Sequence, residues 1–238
     1  MQNDLTIYQS FAPHWWDGSQ RWSRVLRNIV PARMKYFSTI IDEWHGKLVL
    51  DLGCGGGFMS ECLARQGARV IAVDPSASVI QVANEHARKQ GLTIDYRAGW
   101  AENIPIDDNS VDCVICVDVL EHVDDLEQVL DQIQRVLRVG GLLLFDTINR
   151  TPLAVLAVVH LGETVLRFLP RGIHDPAKFI KPFELQSKLS RRGFKVGPFI
   201  GLGPRGIDKR LDFTFGTFPS LQIMYMGHAF LQTRDIRT

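Results

Sequence analysis

From Lys47 onward, short apolar runs rich in β-branched residues alternate with stretches of helical periodicity. The runs at 48–52, 69–73, 93–97, 111–117 and 142–147 each predict a strand. Between them, 58–66, 77–90 and 126–137 predict helices, and Gly67, Gly91 and Gly140-Gly141 stand where such helices end. This alternation predicts an α/β fold, a mostly parallel sheet with crossover helices on both faces.

The two flanks read differently. Residues 1–45 are aromatic and basic, with helical periodicity over about 20–43 interrupted at Pro31, and predict an N-terminal helical cap on a domain spanning 46–238. Residues 150–181 form an insert. Within 152–169 the polar residues His160, Glu163, Thr164 and Arg167 fall at i, i+3, i+4 and i+7, predicting an amphipathic helix about 27 Å long at about 1.5 Å per residue. Arg171, Lys178 and Lys181 then add local positive charge, and the pattern fits equally an insert lying on an anionic membrane surface and a lid helix packed on the sheet. A helix over 183–192 and strands at 194–200, 211–215 and 221–226 complete the chain.

Composition narrows the functional classes. The 238 residues carry 27 basic and 26 acidic side chains, a net charge of +1. No global field or basic patch therefore draws the chain to nucleic acid, and there is no Asn-Pro-Pro-Tyr-type motif. Cys54, Cys62, Cys113 and Cys116 are too few for a disulfide framework, and the last two sit in a strand-like run, which reads as buried thiols in a reducing cytoplasm. The N-terminal Met1–Tyr8 stretch lacks the basic start and apolar run of a signal peptide, and no uncharged run reaches about 18 residues. A cytoplasmic protein is expected.

The chemistry concentrates in Leu48-Val-Leu-Asp-Leu-Gly-Cys-Gly-Gly-Gly57, a buried strand that runs into a glycine corner and then a helix. Gly53, Gly55 and Gly57 let the backbone turn sharply and a ligand approach closely. Asp74, with Pro75 after it, ends the next strand 21 residues beyond Gly53, where a carboxylate accepts ribose hydroxyls. Phe58 stands where the dinucleotide fingerprint requires glycine, which disfavours a nicotinamide dehydrogenase. Asp51 would repel a pyrophosphate and suit an ammonium or sulfonium ion. S-adenosylmethionine has both cations and no phosphate. Ala101 and Glu102, after the third strand, are placed to flank an adenine ring, and Trp15 and Trp16 to cover the cofactor.

With Ala72-Val-Asp74, Leu120-Glu-His-Val123 and Arg138-Val-Gly-Gly141, the glycine stretch resembles class I methyltransferases, which implies a Rossmann-like sheet of seven strands. Phe11-Ala-Pro-His-Trp-Trp-Asp17, Thr147-Ile-Asn-Arg150 and the stretch from Pro170 to Pro182 are similar to the ubiquinone-biosynthesis O-methyltransferase family over about residues 8–200. The resemblance implies cofactor contacts at Arg33, Gly53, Asp74 and Val117, methylation of a catechol-like hydroxyl on a polyprenylated ring, and, because such substrates live in membranes, an insert peripheral on the anionic inner face of a membrane. Related members hold a divalent metal in a glutamate–x–x–glutamate–histidine cluster, and here it reads Asp118-Val-Leu-Glu121-His122. On a helical turn these three share one face, so they are the expected catalytic group, with His122 as base or, with Asp118 and Glu121, as ligand to an ion such as magnesium. A metal-free cluster bonded to the scaffold is the alternative. The rival functions are a soluble methyltransferase with another acceptor and a non-catalytic lipid-binding protein.

Overall fold

The computed structural model describes residues 10–166 and 168–232; Met1–Tyr8 and Arg167 of the expected polar stripe lie outside the described residues. Strands β1 (Leu48–Leu52), β2 (Arg69–Asp74), β3 (Asp95–Ala98), β4 (Val111–Cys116) and β5 (Leu137–Ile148) pair in parallel in the order β3-β2-β1-β4-β5. The chain then departs from the expected seven strands. β6 (Phe194–Val196), β7 (Ile200–Ile207), β8 (Phe213–Phe218) and β9 (Met224–Leu231) are antiparallel, and β9 lies against β5, giving nine strands in one sheet among the described residues.

Side-chain alternation along the central strands β1, β4 and β5 buries both faces. Leu50, Leu52, Val114, Leu143 and Phe145 point to one side, where α4 (Leu126–Val136) contributes Val129, Leu130 and Ile133 and α6 (Pro182–Ser190) contributes Leu185 and Leu189. Val49, Val70, Ala72, Cys113, Ile115 and Leu144 point to the other, against α1 (Arg21–Phe37) and α2 (Phe58–Arg65). Helix α3 (Ala77–Lys89) follows β2. The free thiols of Cys113 and Cys116 are fully buried, which raises both strongly above the ordinary thiol range. Pro31 does not interrupt α1: its ring is exposed, and the helix runs through it.

The insert is not the expected α-helix. One α-turn at Pro152–Ala154 opens into a wider π-helix over Val155–Val165, together α5. Winding with i to i+5 bonds, as from Leu166 N–H to Leu161 O (2.8 Å), rotates the expected polar stripe apart. His160 and Thr164 stay exposed, whereas Glu163 turns inward and is buried.

Candidate active site

The corner after β1 is held open by backbone geometry that a side chain would spoil. Gly53 has φ +73, and a Cβ there would stand 2.2 Å from a Val119 methyl. Asp74, at the end of β2, is fixed by the next turn of chain: its two carboxylate oxygens accept the N–H groups of Gly55 (3.0 Å) and Ser76 (2.9 Å). Asp51, on the α1-facing side of β1, is 1% exposed. Its Oδ2 accepts the Ser60 hydroxyl (2.5 Å), and among the described residues its Oδ1 has no hydrogen-bond partner. Burial raises both carboxyls to about 6.

Beside them lies a compact charge cluster. The buried Arg33 of α1 reaches Asp118 (2.6 Å) and Asp146 of β5 (2.5 Å), and the backbone N–H of Asp118 donates to Asp146 (2.9 Å). Burial opposes the guanidinium charge; the two carboxylates outweigh it, and Arg33 is held firmly protonated. Asp146, wholly buried, was not among the sequence candidates; an aspartate inside the apolar run Leu142-Leu-Leu-Phe-Asp146 was the available signal.

The segment after β4 is a turn, with Asp118 in the left-handed region at φ +53, so the expected helical face does not exist. Asp118 goes to Arg33. Glu121 goes inward, where the Thr147 hydroxyl donates to its Oε2 (2.8 Å) and burial lifts its carboxyl to about 8. His122 faces the cavity and burial lowers it to about 3, so the imidazole is neutral. The three side chains are directed to three different partners. Among the described residues no group of three or more His, Cys, Asp or Glu is placed to hold a metal ion, so the donor set does not fit the expected magnesium site.

All of this opens on one cavity of about 710 Å³, within the usual size for a small-molecule site. Arg33, Asp51, Gly53, Gly55, Asp74, Pro75, Ala101, Glu102, Val117, Asp118 and His122 line it. Two expected residues do not. Gly57 backs onto Tyr96, whose hydroxyl would lie 2.3 Å from an added Cβ, and Glu121 sits behind the wall. Trp15 covers the glycine loop so closely that a Cβ on Gly56 would fall 2.1 Å from its ring. Trp16 donates to Gly56 O (2.8 Å) and stacks on His86 (centroids 3.5 Å), which meets the buried Glu61 (2.5 Å). The far wall is apolar, from Val158, Leu161, Leu166, Phe168, Phe213 and Phe215. Glu163 and His174 of the insert region, absent from the sequence candidates, meet there at 2.7 Å.

Residues 50–145 match the family described as methyltransferase domain. The chain is 36% identical over 207 residues to the ubiquinone biosynthesis O-methyltransferase of Nitrosomonas europaea, covering 87% of this chain and 88% of that one. To the protein of the same name from Klebsiella pneumoniae it is 35% identical, covering 94% and 91%. Among solved structures, a SAM-dependent methyltransferase of Aquifex aeolicus superposes with a TM-score of 0.64 at 18% identity, covering 94% of this chain and 98% of that one.

Proposed function

The chain belongs to the ubiquinone biosynthesis O-methyltransferase family, and from that premise we propose that it methylates a phenolic oxygen of a prenylated quinone precursor. It is an S-adenosylmethionine-dependent methyltransferase with the class I fold. The bound cofactor supplies an electrophilic methyl group on a sulfonium.

The residues present fit that cofactor. The carrying observation is Asp51: a buried carboxyl with an unpartnered oxygen, on the wall of a cavity that continues into an apolar vault. A bound cation would satisfy that oxygen and favour its ionised form. In this reading Asp74 receives the ribose hydroxyls, Pro75, Ala101 and Glu102 border the adenine, and Val117 and the glycine corner at Gly53 and Gly55 support the methionine part. Arg33 holds Asp118 and Asp146 in place, and Trp15 and Trp16 close the cap, residues 10–45, over the cofactor. His122 accepts a hydrogen bond from the acceptor hydroxyl and orients it.

A metal has no step in this reading. Recruiting one would require Glu121 to leave Thr147 and Asp118 to leave Arg33.

The insert extends the proposal to a membrane. Among the described residues no helix is long and apolar enough to cross one. Yet Leu153, Leu156 and Val165 are exposed on α5, Phe183 is 65% exposed nearby in sequence, and Arg171 and Lys181 are exposed between them. An apolar surface flanked by cations suits an anionic bilayer. Lys178 does not join them, because it is bonded to Asp124 (2.6 Å) and the His122 carbonyl (3.2 Å).

Transfer of labelled methyl from S-adenosylmethionine to a panel of prenylated and short-chain catechols, with and without anionic liposomes, tests the reading. Product on prenylated acceptors, faster with liposomes, is expected. Turnover of short, water-soluble acceptors alone would overturn it.

A further inference from the structure

Among the described residues, Asp51 Oδ1 and Trp15 Nε1 are buried polar atoms without a hydrogen-bond partner, and both residues belong to the cavity wall at the glycine corner. They are of opposite kind. The carboxylate oxygen accepts, whereas an indole N–H can only donate. Trp15 is 6% exposed and covers the backbone of the loop: a Cβ on Gly55 would stand 2.5 Å from its Cζ2, and one on Gly56 2.4 Å from Nε1 itself. Trp22 and Phe58 pack around the indole, with ring centroids 5.1 and 6.2 Å away, so the N–H is held in place before any ligand arrives.

The donors that a glycine loop can offer to an anion are largely spent here. The N–H groups of Gly53 and Cys54 donate to Val73 O (2.8 and 3.0 Å), that of Gly55 to Asp74 (3.0 Å) and that of Gly57 to Cys54 O (3.0 Å). Gly56, the remaining residue of the corner, lies against the indole. Arg33 is engaged by Asp118 and Asp146. Around the corner four carboxyls, Asp51, Asp74, Asp118 and Asp146, thus outnumber one guanidinium. A carboxylate entering this acidic space needs a donor that brings no anion with it, and the Trp15 N–H is such a donor. S-adenosylmethionine ends in an α-amino acid head, an ammonium and a carboxylate on one carbon. The unpartnered acceptor and the unpartnered donor match its two halves.

We infer that Trp15 binds the amino-acid end of the cofactor: its indole N–H donates to the methionine carboxylate while Asp51 takes the ammonium group. A ring without the N–H would still pack on Gly55 and Gly56, but it would leave the carboxylate short of a partner in a buried, acidic corner. The two tryptophans of the cap therefore divide their work. The Trp16 N–H is already spent on Gly56 O (2.8 Å) and anchors the cap, and the Trp15 N–H is kept for the ligand.

The inference rests on the cofactor placement proposed above, and its test separates the two. Trp15→Phe and the parent chain are titrated by calorimetry with S-adenosylhomocysteine and with its decarboxylated analogue, the same thioether ending in an aminopropyl group. Trp15→Phe is expected to bind S-adenosylhomocysteine at least about 10-fold more weakly, the scale of a hydrogen bond to a charged group, and the analogue within about 3-fold of the parent. A second measurement needs no variant. In the parent chain with isotope-labelled indole nitrogens, the Trp15 N–H resonance is expected to move downfield with S-adenosylhomocysteine and to stay in place with the analogue. Equal changes in affinity for the two ligands in Trp15→Phe, or a resonance that answers both ligands alike, would overturn the assignment, since ring packing alone does not sense the carboxylate. Failure of the parent chain to bind S-adenosylhomocysteine would instead count against the cofactor placement.

Discussion

Replacing Arg33 by Met removes the only cation that Asp146 touches within the described residues. Asp146 is 0% exposed, whereas the Asp118 side chain is 28% exposed and can turn to water. The cost therefore falls on Asp146, and breaking a buried pair on one side is worth about 3–5 kcal/mol. This cost depends on pH with a definite sign. In the intact protein burial raises Asp146 from 3.8 to about 6, against the pull of Arg33. A carboxyl raised on folding adds stability below its unfolded value, and that contribution, about 3 kcal/mol for such a shift, is lost as pH climbs through the folded value. Without Arg33 the carboxyl rises further. The variant should thus lose about 3–5 kcal/mol at pH 8 and at least about 1 kcal/mol less at pH 5, where Asp146 can take a proton. Urea unfolding followed by tryptophan fluorescence at both pH values measures this, and adding Asp146→Asn should restore about half of the loss at pH 8. A destabilisation that is equal at the two pH values, or below about 1 kcal/mol at pH 8, would refute the reasoning.

Other consequences are as concrete. Gly53→Ala meets Val119 and an unfavourable φ, and is expected to weaken S-adenosylhomocysteine binding at least about 10-fold in calorimetry, roughly 1.4 kcal/mol. Trp16→Ala loses the Gly56 bond and the His86 stack, so stopped-flow release of S-adenosylhomocysteine should be about 10-fold faster. Chelation of divalent ions should leave the methylation rate within about 2-fold, and a loss of more than 10-fold would restore the metal. Leu156→Asp with Val165→Asp should abolish sedimentation with anionic liposomes while leaving cofactor affinity intact.

The parallel half of the fold is legible in the sequence because its strands are buried on both faces and read as continuous apolar runs; β1 falls at 48–52 as expected. The antiparallel half is legible in part: the expected runs at 194–200, 211–215 and 221–226 overlap β6, β8 and β9, whereas β7 is not expected. Gly201-Leu-Gly-Pro-Arg-Gly206 has the composition of a loop yet lies in β7, where a Cβ on Gly201 would strike the Ser220 carbonyl at 1.9 Å. The glycine corner, Asp51 and Asp74 follow from local spacing and can be found by counting. The cluster after β4 depends on one backbone angle at Asp118 and on Arg33 and Asp146, 113 residues apart, which no local pattern encodes. Likewise Glu163 reads as one member of a solvent-facing stripe, and only the π-helical winding shows that it turns inward to His174.

The chamber is roofed by two stretches of chain distant in sequence, Trp15 and its neighbours above the glycine corner and α5 above the apolar vault, and Arg21 of the cap lies over the Phe168 ring, 4.6 Å from its centroid. Drawing either part of the roof away from the other would give up that cation–π contact, worth about 0.5–1 kcal/mol at an exposed site, so the cofactor end and the apolar end of the chamber share one latch.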